Sequence, residues 1–291
     1  MSEAAHLRES AENLAGGLPP LLAAAEQLAA TVLLGPHGRR RSGMGEEFWQ
    51  YRAFQSGDEA RSIDWRRSAR SDTHFVRERE WQAAQSVMVW IDPGRSMAFS
   101  GTPNRPDKRA RAELLALALS VLMIRGNERV GLLGTDAPPR AGQAQLLRLA
   151  DALTRTQDGG DHADPDGRAL AAHSRAVFLS DFLGDLEGVE RAIGEATGRG
   201  VRGALLQVLD PVEEDFPFDG RTIFESVTGA VSFETRKAGD LRRRYLDRLA
   251  ERKDKLSALA TAAGWQFSTH HTGNTALSAL LWLYGATERG H

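Results

Sequence analysis

The chain has 291 residues, with 37 basic against 39 acidic side chains for a formal charge of −2, and no cysteine. That length buries a full core, as one large domain with appendages or two small ones, and the balanced charge sets up no whole-chain field toward nucleic acid or an anionic membrane. The absence of cysteine excludes disulfides, iron–sulfur clusters, thiolate zinc sites and a cysteine nucleophile, and suits a reducing cytoplasm.

Residues 1–10 contain no apolar signal-peptide core, and the longest apolar stretch, Leu114 to Ile124, falls well short of the roughly 20 residues that span a bilayer. A soluble cytoplasmic protein is expected. Residues 1–36 form a helical lead-in: Pro19 and Pro20 suit a first turn, and Leu21, Leu22, Ala25, Leu28, Ala29 and Val32 recur at helical spacing before Gly35-Pro36 ends the run.

Residues 37–82 change character to arginine, tryptophan and turn residues, which predicts a lobe of short strands and loops. From His37 to Glu80 there are ten arginines, no lysine and eight acids. Arginine forms planar bidentate contacts and stacks on aromatics. The near-balance of sign favours internal pairs, Asp58 or Asp64 with Arg52, Arg61 or Arg70, over a phosphate-binding stripe. Trp65 is expected to bury its ring against this lobe. The competing use is a partner-docking surface, with Arg39, Arg40 and Arg41 its most exposed members.

Over residues 83–291 short apolar runs alternate with longer helical stretches. The runs are Val87–Ile91, Val130–Leu133, Ala176–Leu179, Ala204–Leu209 and Trp265–Phe267, with helices predicted over 108–125, 143–156, 186–197, 238–263 and 275–284. Strands buried on both faces and separated by helices indicate an α/β, doubly wound, mostly parallel sheet of the Rossmann-like class.

Ligands of such sheets bind at the carboxyl ends of the strands. Asp92-Pro93-Gly94-Arg95-Ser96 follows the first run and Ser180-Asp181 the third. Each acid alone is explained by helix capping or an Asx-turn. Together, two acids at neighbouring strand ends repel unless a cation or an arginine, here Arg95, lies between them. Oxygen-rich sites of this kind suit a hard cation such as Mg²⁺.

A signature precedes the first run: Gly43-x-Gly45-x-x-Phe48, Tyr51-Arg52, Gly57-Asp58-x-x-Arg61-x-Ile63-Asp64-Trp65, Ser68-Ala69-Arg70 and Val76-Arg77-Glu78, with Gly200-Val201-x-Gly203 and Leu209-Asp210-Pro211 later. It closely resembles the bacterial domain-of-unknown-function family 58. The resemblance implies a von Willebrand factor A-like fold, partnership with a MoxR-type AAA+ ATPase, and a metal-ion-dependent adhesion site of pattern Asp-x-Ser-x-Ser with a threonine and a late aspartate. Asp92, Ser96 and Asp181 match that pattern. Gly94 stands where the first serine belongs, and Gly159-Gly160-Asp161 where a Gly-Gly-Thr is expected, leaving Asp161 as a substitute oxygen donor beside His162, Asp164 and Asp166. Arg52, Asp58, Arg61, Asp64, Trp65 and Arg70 are the signature and partner-binding candidates.

The expected role is a non-enzymatic binding module or adaptor with a partly degenerate Mg²⁺ site. Two other classes compete with it. A haloacid-dehalogenase-like phosphohydrolase also opens on an aspartate after the first strand, but needs a second aspartate two residues on, where Gly94 stands. A nucleic-acid binder would use the arginine-rich lobe. No Walker A loop, Gly-x-Ser-x-Gly elbow or Gly-x-Gly-x-x-Gly after a strand occurs in the sequence.

Overall fold

The computed structural model describes residues 20–33, 48–54, 63–69, 73–79, 85–155, 160–225, 232–235 and 238–288. It divides into two compact units, one of Met1–Pro36 with Gln85–His291, the other of His37–Ala84. The chain begins with helix α1 (Pro20–Leu33) in the larger unit. In the smaller unit, β1 (Phe48–Ala53) pairs antiparallel with β2 (Phe75–Arg79), and the one-turn helix α2 (Trp65–Ser68) lies between them in sequence. Asp64 caps that turn, its carboxylate accepting from the Arg67 N–H at 3.1 Å, the usual role of an aspartate before a first helical residue.

The larger unit continues through β3 (Ser86–Ile91), α3 (Lys108–Arg125), β4 (Arg129–Leu132), α4 (Gln143–Thr154), β5 (Arg175–Ser180), α5 (Glu187–Thr197), β6 (Arg202–Leu209), α6 (Pro211–Asp215), β7 (Thr222–Glu225), β8 (Ser232–Thr235), α7 (Ala238–Ala262), β9 (Gln266–His271) and α8 (Ala276–Glu288). Five strands form one sheet in the order β4-β3-β5-β6-β9, and all four neighbouring pairs are parallel. The first strand in sequence thus lies inside the sheet, with its successor on one side and all later strands on the other. This is a doubly wound order whose reversal point falls between β3 and β5.

Alternation along the strands feeds two apolar layers. Val87, Val89, Val177, Leu179, Leu206 and Val208 face a layer built with α1, α3, α4 and α8. Met88, Trp90, Ala176, Phe178 and Leu205 face the opposite layer, closed by α5 and α7. The lead-in helix is therefore part of the sheet unit: its Leu22, Ala25 and Ala29 are fully buried in the first layer. Between α4 and β5 the chain returns over the second layer through residues 160–174, anchored by buried Leu170. That return places the 160–164 segment at the carboxyl end of β3, where Gly160 and Asp161 carbonyls accept from Arg95 and Ser96.

The β7–β8 hairpin and α6 are not anticipated from the sequence, because neither carries an apolar run. In the second layer Phe178 stands edge-on between Trp90 and Trp265, with ring centroids 5.7 and 5.2 Å apart. Phe178→Ala opens a cavity under two tryptophans and is expected to cost about 3–5 kcal/mol. Urea unfolding monitored by tryptophan fluorescence measures it; a loss below ~1 kcal/mol would contradict the close packing of this layer.

Candidate functional site

Asp92 follows β3 and Asp181 follows β5, so both sit at the reversal point of the sheet. Asp92 Oδ1 accepts from the Gly94 N–H at 2.7 Å and the Ala163 N–H at 3.2 Å, and its Oδ2 accepts from the Ser180 hydroxyl at 2.7 Å. Burial pushes the Asp92 carboxyl above its ordinary range, against the Ser180 and Gly94 hydrogen bonds. Asp181 accepts from the Leu183 N–H at 3.0 Å, and its backbone carbonyl receives the Gln207 amide from β6 at 2.9 Å.

The counter-charge to Asp181 is Lys108, not Arg95. Arg95 is exposed on the short turn after β3, whereas Lys108 is 1% exposed and its Nζ lies 2.7 Å from Asp181 Oδ2 and 2.6 Å from Glu213 Oε1. Burial alone would push the lysine down, but Asp181 and Glu213 outweigh it and raise it. Burial likewise pushes Asp181 up, yet the Lys108 ammonium holds the carboxyl below its ordinary value. Glu213 stays raised by burial despite the same ammonium.

Glu213 also belongs to the capping box of α6: its Oε2 accepts from the Asp210 N–H at 2.8 Å, while Asp210 accepts from the Val212 N–H at 2.9 Å. Asp210 is fully buried and takes Arg105 at 2.9 Å and the Thr272 hydroxyl at 3.0 Å. The polar network therefore runs along the carboxyl ends of β5, β6 and β9. One weak sequence signal for Lys108 exists: a lysine in the first turn of a long helix opposes the helix dipole, which a nearby acid offsets. No comparable signal marks Glu213.

The 160–164 segment closes over this region. His162 Nδ1 lies 3.8 Å from Asp181 Oδ1, and Asp92, His162 and Asp181 each offer a ligand atom within 4.8 Å of the others. Asp161 instead meets the loop after β3 through its backbone carbonyl, which accepts from the Ser96 N–H at 3.0 Å. The Ser96 hydroxyl, in a residue 7% exposed, sits near enough to Asp181 to help hold its charge, but closes no ordinary hydrogen bond. Among the described residues this is the one group of three or more acids and imidazoles close enough to share an ion. The carboxylates lie below the surface, and His162, 36% exposed, is the member that reaches solvent.

Gly94 is a packing requirement as well as a departure from the adhesion-site pattern. A Cβ there would lie 2.7 Å from the Asp161 carbonyl oxygen, from Asp92 Oδ1 and from the His162 Cα. The place of the expected serine is filled by the 160–162 backbone. Beside the mouth, between the ends of β3 and β4 and helices α3 and α4, opens a cleft of about 510 Å³ lined by Asp92, Arg109, Glu113, Leu133, Thr135 and Arg155 among others. Burial pushes the Glu113 carboxyl up to about 7.

Of the signature residues, Arg52 lies on β1, paired across to Val76, and Asp64 caps α2. Trp65 is 60% exposed rather than buried, with its ring edge-on to His74 at 5.6 Å. As the first residue of a four-residue helix it has too little helix beneath it to make a face. Asp58, Arg61 and Arg70, with Arg39, Arg40 and Arg41, fall outside the described residues. His270 is buried, with its Nε2 3.0 Å from the Arg111 guanidinium.

The profile of the family described as "Protein of unknown function DUF58" matches residues 50–255. The chain belongs to the DUF58 family. Uncharacterized proteins of Mycobacterium bovis and Mycobacterium tuberculosis are each 29% identical to this DUF58 chain over 232 residues, covering 75% of it and 72% of the relative. Crystal structures that align with it include two from Bacteroides species. An aerotolerance-related membrane protein from Bacteroides fragilis does so at 16% identity and TM-score 0.45, over 71% of this chain and 100% of that one. The conserved hypothetical protein BatB from Bacteroides thetaiotaomicron aligns at 14% identity and TM-score 0.43 over the same shares. Among the described residues of the DUF58 chain no helix is long and apolar enough to cross a membrane.

Two substitutions probe this geometry. Gly94→Ser, which restores the adhesion-site pattern on paper, is expected to destabilise the protein by about 1–3 kcal/mol through overpacking and to bring no gain in cation affinity; a more stable, tighter-binding variant would show the loop to be misplaced. Lys108→Met leaves Asp181 and Glu213 buried without their ammonium and is expected to cost about 3–5 kcal/mol. Chemical denaturation at neutral pH reads both, and a near-neutral Lys108→Met would remove the lysine from the centre of the network.

Proposed function

We propose that this DUF58 chain is a non-enzymatic docking module of the von Willebrand factor A kind, working in the cytoplasm as an adaptor for a MoxR-type AAA+ ATPase. The observation that carries the reading is the meeting of Asp92, His162 and Asp181 at the sheet's reversal point, with the buried and unpartnered Ser96 hydroxyl beside them. An orphaned buried oxygen next to two acids and an imidazole suits a divalent cation, the group that the family resemblance expects to be Mg²⁺. Held by Asp92, Ser96, Asp181 and His162, such a cation would supply an open coordination position for a partner's carboxylate oxygen.

The chain's own residues do the rest. Ser180 and the Gly94 and Ala163 N–H groups fix the Asp92 carboxylate in one orientation. Lys108 keeps Asp181 ionised inside the protein. His162 stands at the surface, where a partner arrives. The arrangement supports gripping more than turnover: the residue two after Asp92, where a phosphohydrolase would keep its acid and base, is Gly94, and the space beside it is taken by the 160–162 backbone.

Affinity purification of the full-length protein from its native cell, in ATP and Mg²⁺, tests the reading. An AAA+ ATPase is expected to co-purify with the wild type, and to be lost with Asp92→Asn or with chelator. Its absence from the wild-type eluate, or its indifference to both treatments, would overturn the proposal.

A further inference from the structure

The geometry points to a transition-metal dication of the Zn²⁺ or Co²⁺ class, rather than Mg²⁺, as the ion this mouth takes, with His162 as the ligand that decides it. The inference rests on the cation-assisted docking proposed above and adds the identity of the ion.

Mg²⁺ demands a near-octahedral set of oxygens and leans on the negative charge of its carboxylates. Here that set is thin. Gly94 brings no hydroxyl, and its backbone leaves no room for one. Asp181 gives one oxygen to the Lys108 ammonium at 2.7 Å, so much of its charge is already spent inside the protein. Asp92 Oδ1 accepts two N–H groups, and Oδ2 one hydroxyl, which leaves a single acceptor direction on Oδ2.

An imidazole offsets that loss only for a softer ion. Neutral imidazole is a good ligand for zinc and its first-row neighbours, whereas magnesium prefers carboxylates, carbonyls and water. His162 Nδ1 faces Asp181 Oδ1 at 3.8 Å. Tetrahedral ligands at zinc bond lengths stand roughly 3.3 Å apart, so a small side-chain adjustment closes that pair on an ion. Packing against Gly184 steadies the imidazole, since a Cβ at that glycine would stand 2.7 Å from the His162 Cγ.

Ser96 is an independent indication that the mouth takes a cation, while the choice between the two classes of ion falls to His162. The Ser96 hydroxyl is buried without an ordinary hydrogen-bond partner, and it sits on the Asp181 side of the group. Four donors of mixed type, one of them solvent-facing, make a site with an outward position left for a partner.

The test uses metal-free full-length protein titrated separately with Zn²⁺, Co²⁺ and Mg²⁺ by calorimetry, with the visible absorption of bound Co²⁺ as a second reading. Wild type is compared with His162→Ala and His162→Asp, each checked for native circular dichroism. Wild type is expected to bind Zn²⁺ and Co²⁺ more tightly than Mg²⁺. His162→Ala should weaken both by about tenfold or more and change the Co²⁺ spectrum while leaving Mg²⁺ binding as it was, and His162→Asp should shift preference toward Mg²⁺. If Mg²⁺ and Co²⁺ bind alike and His162→Ala weakens neither, the choice of ion is overturned; the docking reading then survives where Asp92→Asn abolishes binding. If wild type binds none of the three ions, both are overturned.

Discussion

A lysine ammonium cannot be left unpaired in a protein interior, and Lys108, 1% exposed, obliges the surrounding chain to bring acids to it. Those acids come from two different strand ends: Asp181, 73 residues away, follows β5, and Glu213, 105 residues away, follows β6. Pairing inside the protein has to be nearly complete before it offsets the cost of desolvation. Satisfying one cation therefore fixes the start of α3 against two neighbouring crossovers of the sheet. Asp210, Arg105 and Thr272 extend the arrangement to β9, so the mouth is shaped by a connected set of charges more than by apolar packing.

The same network sets the electrostatics of the mouth. Asp181 is held ionised by Lys108, whereas burial lifts the Asp92 carboxyl. Two acids close in space are thus kept in different electrostatic environments by their partners. Over them lies the 160–164 segment, reaching this place because the chain between α4 and β5 returns across the second apolar layer. Its carbonyls fill the space beside Gly94, and the chain in effect trades a hydroxyl for the close approach of a second loop carrying an imidazole. That exchange separates this site from the adhesion-site pattern it resembles.

Much of the fold is legible from the order of residues. Apolar runs such as Ala176–Leu179 and Ala204–Leu209 can be buried on both faces only as inner strands, and they are β5 and β6. The helix expected over 108–125 spans Lys108–Arg125. The expected α/β sheet is present, with five parallel strands. The β7–β8 hairpin escapes because Thr222–Glu225 and Ser232–Thr235 are short and mixed in polarity. The role of α1 escapes too, since an amphipathic helix shows that it has a face to bury but not what it is buried against.

Of the mouth, the sequence by itself determined the two carboxylates, because an acid directly after a buried strand has to emerge at the sheet's edge, and β3 and β5 are neighbours in any winding that reverses there. Tertiary structure alone decided which cation pairs with Asp181, that His162 rather than the Asp161 side chain joins the two acids, and that Trp65 is exposed. The physical reason is common to all three. Each depends on how a loop or helix end approaches from a distant part of the chain, and local hydrophobic period carries no record of that approach.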